Sequence, residues 1–235
     1  MHRIHACLNW SDLPHLAEQA RWLVESGADA LHLDVIETPH LPTLTRAPAL
    51  VQALRHQTRR IAGASLGACS GIELHLTGLP DPALAHACVQ AGADAIIFPA
   101  DSSHFAVPIW RLLRREGCRS GLALHPASSL DTLCGALGSI DQVLIVLSPP
   151  EHRPRRGWLE RALPHIEVVR KLIDSAGGGL RLQAEGPLQA VDVARLIRAG
   201  VEDFVVQHRF AHLSDAVTAF AQMRAGLDDG AVASA

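Results

Sequence analysis

What the chain lacks narrows it first. No apolar run approaches the ~20 residues that a membrane-spanning helix needs. The opening residues, Met1-His2-Arg3-Ile4-His5-Ala6, enter a strand-like pattern at once and do not have the layout of a secretory leader; with the cysteine usage described below, a cytoplasmic location is expected. An excess of one charge is missing too: 21 Lys and Arg stand against 24 Asp and Glu, a net charge of -3. That balance does not suggest a nucleic-acid or acidic-membrane partner. The five cysteines (Cys7, Cys69, Cys88, Cys118, Cys134) are odd in number and scattered. None has CxxC spacing, which argues against a zinc knuckle and a disulfide framework alike. Nor does Leu8-Asn9-Trp10-Ser11, after the first strand-like run, carry the glycine fingerprint of a doubly wound nucleotide-binding sheet.

What the chain does have is rhythm. Of its 235 residues 48% are hydrophobic, enough for a core. Short β-branched or Leu-rich runs alternate with amphipathic helical patterns about eight times. Strands are expected at Ile4 to Asn9, Ala30 to Ile36, Ile72 to Thr77, Ala95 to Pro99, Ser120 to His125, Gln142 to Leu147, Leu180 to Ala184 and Phe204 to Gln207. The first helix has Ser11 or Asp12 as a candidate cap, the second is expected from Pro48 to Gln57, and the last from Leu213 to Arg224. Helix-stop signals recur at Ser26-Gly27-Ala28-Asp29, Gln90-Ala91-Gly92-Ala93-Asp94 and Ala199-Gly200-Val201-Glu202-Asp203. Eight such units in this length fit an α/β fold, a single-domain (β/α)8 TIM barrel, whose usual size is ~250 residues. The expected domain covers 1–226, with 227–235 a flexible tail.

In a barrel, polar residues at the strands' C-terminal ends converge on one mouth. In Leu31-His32-Leu33-Asp34-Val35 an apolar run carries a histidine and an aspartate two residues apart, hence on one face of a strand. A buried strand holds such groups at a cost of several kcal/mol unless they are paired or liganded. Ile72-Glu73-Leu74-His75-Leu76 has the same character, and Leu180-Arg181-Leu182-Gln183-Ala184-Glu185-Gly186 ends an apolar strand on a carboxylate. Asp34, His75, His125 and Glu185 would reach the mouth, with His32 one layer deeper. Two imidazoles and two carboxylates suffice for a divalent-metal site, and zinc, manganese, iron or cobalt would suit it. The plainer alternative is a mouth whose polar residues only hydrogen-bond one another.

From Ile4 to about Phe210 the chain resembles the ribulose-phosphate 3-epimerases. The resemblance rests on Leu31 to Val35, on Leu74-His75-Leu76 with Leu79-Pro80-Asp81-Pro82 after it, on Gln90 to Ile97, and on Gly121-Leu122-Ala123-Leu124-His125-Pro126-Ala127-Ser128-Ser129-Leu130. It implies a ketose epimerase that binds one divalent metal through His32, Asp34, His75 and Glu185. Asp34 and Glu185 would move the C3 proton on the two faces of the substrate through an enediolate. The family's strand-seven aspartate is Glu185 here, one methylene longer. Its glycine pair after that position is Gly186-Pro187, its Gly-Ser step after strand eight is Gln207-His208, and its first-strand serine is Cys7. Three methionines that floor the family's site fall on Ile36, Thr77 and Leu147, and its glycine-rich flap is replaced by Pro149 to Gly157.

Candidates for the substrate's contacts are accordingly Cys7, His125, Gly186, Gln207 and His208. Arg153, Arg155 and Arg156 join them as a replacement anion clamp, since guanidinium groups grip phosphate or carboxylate bidentately. The expected partner is a small sugar or sugar phosphate, and a homo-oligomer is compatible with these features. The alternative is a barrel that has lost the usual phosphate site and either acts on another substrate or does not catalyse.

Overall fold

The computed structural model describes residues 2–8, 15–35, 47–62, 71–77, 81–101, 106–126, 128–147, 157–207 and 213–232. Its strands are β1 (Arg3–Cys7), β2 (Ala30–Val35), β3 (Ile72–Leu76), β4 (Ala95–Pro99), β5 (Arg119–Leu124), β6 (Gln142–Val146), β7 (Arg181–Gly186) and β8 (Asp203–Val206). The helices between them are α1 (Leu16–Glu25), α2 (Ala47–Ala62), α3 (Pro82–Ala91), α4 (Ala106–Arg115), α5 (Leu130–Ala136), α6 (Trp158–Ser175), α7 (Ala190–Arg198) and α8 (Leu213–Val232). Each strand pairs in parallel with its sequence neighbours, and β1 closes on β8. This is the expected (β/α)8 barrel.

Alternation along the strands builds two cores. Outward residues such as Leu31, Leu33, Ile72, Leu74, Ile96 and Phe98 pack against the buried faces of the helices. Inward residues Cys7, Ile97, Ala123, Leu144 and Val205 form a second, smaller cluster inside the barrel. The inward positions of β2, β3 and β7 are mostly polar, and there the site lies.

The helix-stop signals turn out to do a second job. Asp29 accepts the backbone N–H of Ile4 at 2.7 Å and Asp94 that of Ile72 at 2.6 Å. Asp141 accepts from Ser120 at 2.8 Å and Glu202 from Leu182 at 3.2 Å. In every case the carboxylate ahead of an even-numbered strand holds the first turn of the odd-numbered strand before it. Arginines from neighbouring helices close three of these clamps: Arg224 on Asp29, Arg55 on Asp94 and Arg170 on Glu202. Gly92 and Gly200 have positive φ of 109° and 96°, and a Cβ on either would meet the arginine lying across it.

Two helices run further than expected. Helix α2 passes Gln57 to Ala62, because Thr58 is buried and no proline or glycine follows until Gly63. Helix α8 passes Arg224 to Val232, into the segment expected to be a flexible tail, with Leu227 packed in the outer core. Ser11 and Asp12 lie outside the described residues; α1 begins at Leu16 with no side-chain cap. At the start of α3 the Asp81 carboxylate does cap, accepting from the Ala83 N–H at 2.8 Å, with proline at the first helical turn.

Candidate metal centre

Strand register decides which polar side chains meet. In the β2–β3 pair His32 lies beside Glu73 and Asp34 beside His75. All four point inward, in two storeys along the barrel axis. From β7, Gln183 and Glu185 supply the same two levels.

The upper storey brings His32, Asp34, His75 and Glu185 together, with one ligand atom from each lying within 4.8 Å of all the others. His75 Nδ1 lies 2.9 Å from Asp34 Oδ1 and 3.7 Å from Glu185 Oε2. His32 Nε2 sits 3.4 Å from Asp34 Oδ1 and 3.9 Å from Glu185 Oε2. Yet His32 Nε2 and Glu185 Oε2 are buried atoms with no hydrogen-bond partner among the described residues. Leaving such atoms unsatisfied costs ~1–3 kcal/mol each, and more where charge is involved. Two nitrogens and two carboxylates gathered at one point, with His32 Nε2 and Glu185 Oε2 left unpartnered, fit a divalent cation.

The electrostatics separate the two carboxylates. Burial alone would raise Asp34, but His32 and His75 hold it far below the usual carboxylate range. Glu185 moves the other way, pushed up to about 7 by burial first and then by the charge of Asp34. For His32, burial pushes the imidazolium down, and the carboxylates of Asp34, Glu73 and Glu185 more than reverse this, leaving it well above its ordinary value. A metal-free centre therefore holds protons that a bound cation would displace.

A lower storey was not foreseen from the sequence. Glu73 is 1% exposed, and its Oε1 lies 2.8 Å from His32 Nδ1 and 3.2 Å from His5 Nδ1. Its Oε2 accepts from Gln142 Nε2 at 2.6 Å and Gln183 Nε2 at 3.1 Å. Burial raises a carboxyl, but the charges and N–H groups of His5 and His32 hold Glu73 well below the usual range. The signal for it was present: Glu73 shares its strand face with His75, as His5 does with Cys7.

The expected substrate contacts divide. The Cys7 thiol reaches Asp34 Oδ2 at 3.8 Å, and burial leaves it 6% exposed. The Gln207 amide donates to Glu185 Oε1 and, at 3.4 Å, to Asp34 Oδ2. Gly186 ends β7, and its carbonyl accepts the N–H of both Leu188 (2.8 Å) and Gln207 (3.1 Å). His125 lies just past β5 with an exposed side chain, and its N–H is taken by Ser128 Oγ at 3.0 Å; its ring makes no hydrogen bond or ion pair among the described residues. His208, Arg153, Arg155 and Arg156 lie outside the described residues, as does Ile36. Of the other two positions where methionines were expected, Leu147 is buried and Thr77 is exposed, its hydroxyl on the Val35 carbonyl.

Comparison with known proteins adds an independent line. The model of the ribulose-phosphate 3 epimerase family matches residues 3–210. The ribulose-phosphate 3-epimerase of Serratia marcescens is 28% identical over 195 residues, 83% of this chain and 88% of that one. That of Escherichia coli (strain K12) is 26% identical over 195 residues, 83% of this chain and 82% of that one. Among solved structures, 3-keto-L-gulonate-6-phosphate decarboxylase from Vibrio cholerae O1 superposes with a TM-score of 0.73 at 16% identity, covering 97% and 98% of the two chains. Tryptophan synthase subunit alpha from Legionella pneumophila gives 0.62 at 16% identity, covering 97% and 93%. At such identity these structural likenesses speak for the fold alone.

Proposed function

Because the chain belongs to the ribulose-phosphate 3-epimerase family, we propose that it is an isomerase that inverts a ketose or ketose phosphate at C3 by proton transfer between two carboxylates. The observation that carries this reading is the convergence of Asp34 from β2 and Glu185 from β7, with His32 and His75, on one centre inside the barrel. Inversion of a carbon beside a carbonyl needs a base on one face and an acid on the other, and two carboxylates that face one space can serve as the pair. Asp34 takes the C3 proton, and Glu185 returns one to the opposite face; the reverse epimer exchanges the roles. His32, Asp34, His75 and Glu185 would hold the metal, which when bound supplies the electrophile that acidifies the C–H. Before a metal binds, the 2.9 Å contact between His75 Nδ1 and Asp34 Oδ1 holds the two ligands side by side. The Gln207 amide bridges the two carboxylates and keeps them facing the same space. Burial of the centre keeps water from competing for the transferred proton.

One part of the site favours a changed substrate. Barrels of this kind commonly hold a phosphate with the loops after strands seven and eight. Here Pro187 has no N–H, and the N–H groups of Leu188 and Gln207 are both spent on the Gly186 carbonyl. The described part of that corner is satisfied from within, which supports a ketose that does not place a phosphate there.

Metal analysis of the purified protein, followed by incubation in deuterium oxide with phosphorylated and free ketoses, tests both points. The expected result is a bound divalent metal and deuterium incorporated at C3 of at least one ketose. Absence of metal together with absence of exchange into every ketose overturns the epimerase reading. Faster exchange into a phosphorylated ketose than into its free counterpart overturns the changed-substrate reading.

A further inference from the structure

The lower storey has no part in proton transfer, yet it touches the centre at one point. Glu73 is buried, and its carboxylate engages four side chains, His5, His32, Gln142 and Gln183. His32 is the one that also belongs to the upper storey. Glu73 Oε2 accepts from two amide N–H groups and its Oε1 faces two imidazoles, so the carboxylate acts as an acceptor throughout and the ring nitrogen 2.8 Å away carries the hydrogen. With Nδ1 protonated by this contact, the lone pair of neutral His32 is confined to Nε2. Nε2 is the orphaned buried atom turned towards Asp34 and Glu185. Gln142 and Gln183, donating from β6 and β7, keep the carboxylate from turning away from the ring.

We propose that Glu73 is a positioning residue: through its hydrogen bond to Nδ1 it fixes the tautomer and plane of His32, so that Nε2 is presented to the metal. It touches neither metal nor substrate. The gain is in the geometry and basicity of a ligand, and partners of this kind are typically worth 10–100-fold in metal affinity. The proposal rests on the reading of the four-residue centre as a metal site, and its test separates the two.

Zinc affinity is measured by competition with a chromophoric chelator for the wild type, Glu73→Gln and Glu73→Asp, alongside urea unfolding of each. An amide in place of the carboxylate can turn its NH2 towards His32 and drive the hydrogen to Nε2. Glu73→Gln is therefore expected to bind zinc ~10–100-fold more weakly, and Glu73→Asp to recover most of the loss. Long-range nitrogen–proton NMR on histidine-labelled wild type reads the tautomer directly, and would not respond to a merely structural role. A hydrogen on His32 Nδ1 and none on Nε2 is expected, both in the zinc-loaded protein and in the metal-free protein at alkaline pH. A hydrogen on Nε2 overturns the proposal, as does a folded Glu73→Gln that binds zinc as tightly as the wild type. If Glu73→Gln does not fold, the wild-type spectrum decides. Wild type that takes up no zinc overturns the metal reading, while its alkaline spectrum still decides the role of Glu73.

Discussion

Replacing Gly121 by alanine adds one methyl group at the place where the barrel has least room. A Cβ on this residue would lie 2.8 Å from Ile97 Cγ1 and 2.9 Å from Gln142 Cγ. Neither neighbour can swing into solvent, since Ile97 is 0% and Gln142 1% exposed. Ile97 is also β-branched and stiff about χ1. Overpacking of this kind costs ~1–3 kcal/mol. Gln142 can yield only by weakening its 2.6 Å bond to Glu73 Oε2, and a hydrogen bond to a charged group contributes ~1.5–3 kcal/mol. Together the substitution should destabilise the protein by ~2–5 kcal/mol, or ~5–15 °C in Tm for a chain of this size. Gly135→Ala is the control. Gly135 lies in α5 with nothing within 4 Å of its would-be Cβ, so alanine there should add up to ~0.5–1 kcal/mol. Urea titration followed by far-ultraviolet circular dichroism gives both values. A Gly121→Ala protein within ~0.5 kcal/mol of wild type would refute the claim that the absent side chain makes room for the Gln142–Glu73 contact.

Other outcomes follow from the same geometry. Zinc affinity should climb as pH rises towards about 7, because Glu185 must lose its proton to ligate; His32, raised above its ordinary value, carries the climb further. A competition titration that is flat across this range would contradict the assignment. Asp34→Asn keeps the shape but removes a base, and should slow C3 deuterium exchange by ~10²–10⁴-fold, read by mass spectrometry. Among the described cysteines only Cys134 is exposed, while burial and the charge of Asp94 push Cys118 up to about 12. A thiol reagent at neutral pH should therefore modify Cys134 in the native protein and Cys118 only after unfolding, as peptide mapping will show.

The barrel was legible because its grammar is local. Strand–helix alternation and the Gly-Ala-Asp stops at Asp29 and Asp94 need only neighbouring residues to be read. Helix ends were less legible: nothing in the pattern after Gln57 or Arg224 says that Thr58 and Leu227 find buried neighbours. The upper storey was approached through parity, His32 with Asp34 and Glu73 with His75 on their strand faces, and through the carboxylate Glu185 at the end of an apolar strand; family resemblance then joined the four as one ligand set. The lower storey escaped although Glu73 obeys the same parity. Parity marks Glu73 as an inward, costly group but does not say which side chains satisfy it. What makes Glu73 a buried anchor is Gln142 and Gln183, 69 and 110 residues away, brought across the barrel by closure. Ion pairing can be guessed within a motif, whereas cross-barrel partners exist only once the sheet has closed.

The four carboxylate clamps at the strands' N-terminal ends carry a consequence for how such a molecule changes over time. Asp29, Asp94, Asp141 and Glu202 each bind one odd strand to the unit that follows it, so the barrel is a ring of four two-strand modules with hidden internal symmetry. Each module is fastened at the end opposite the mouth. Residues around the mouth, Pro187 and Gln207 among them, can be exchanged without loosening any fastening. The scaffold thus uncouples persistence from innovation: mutational drift at one pole rewrites chemistry while the other pole keeps the architecture heritable.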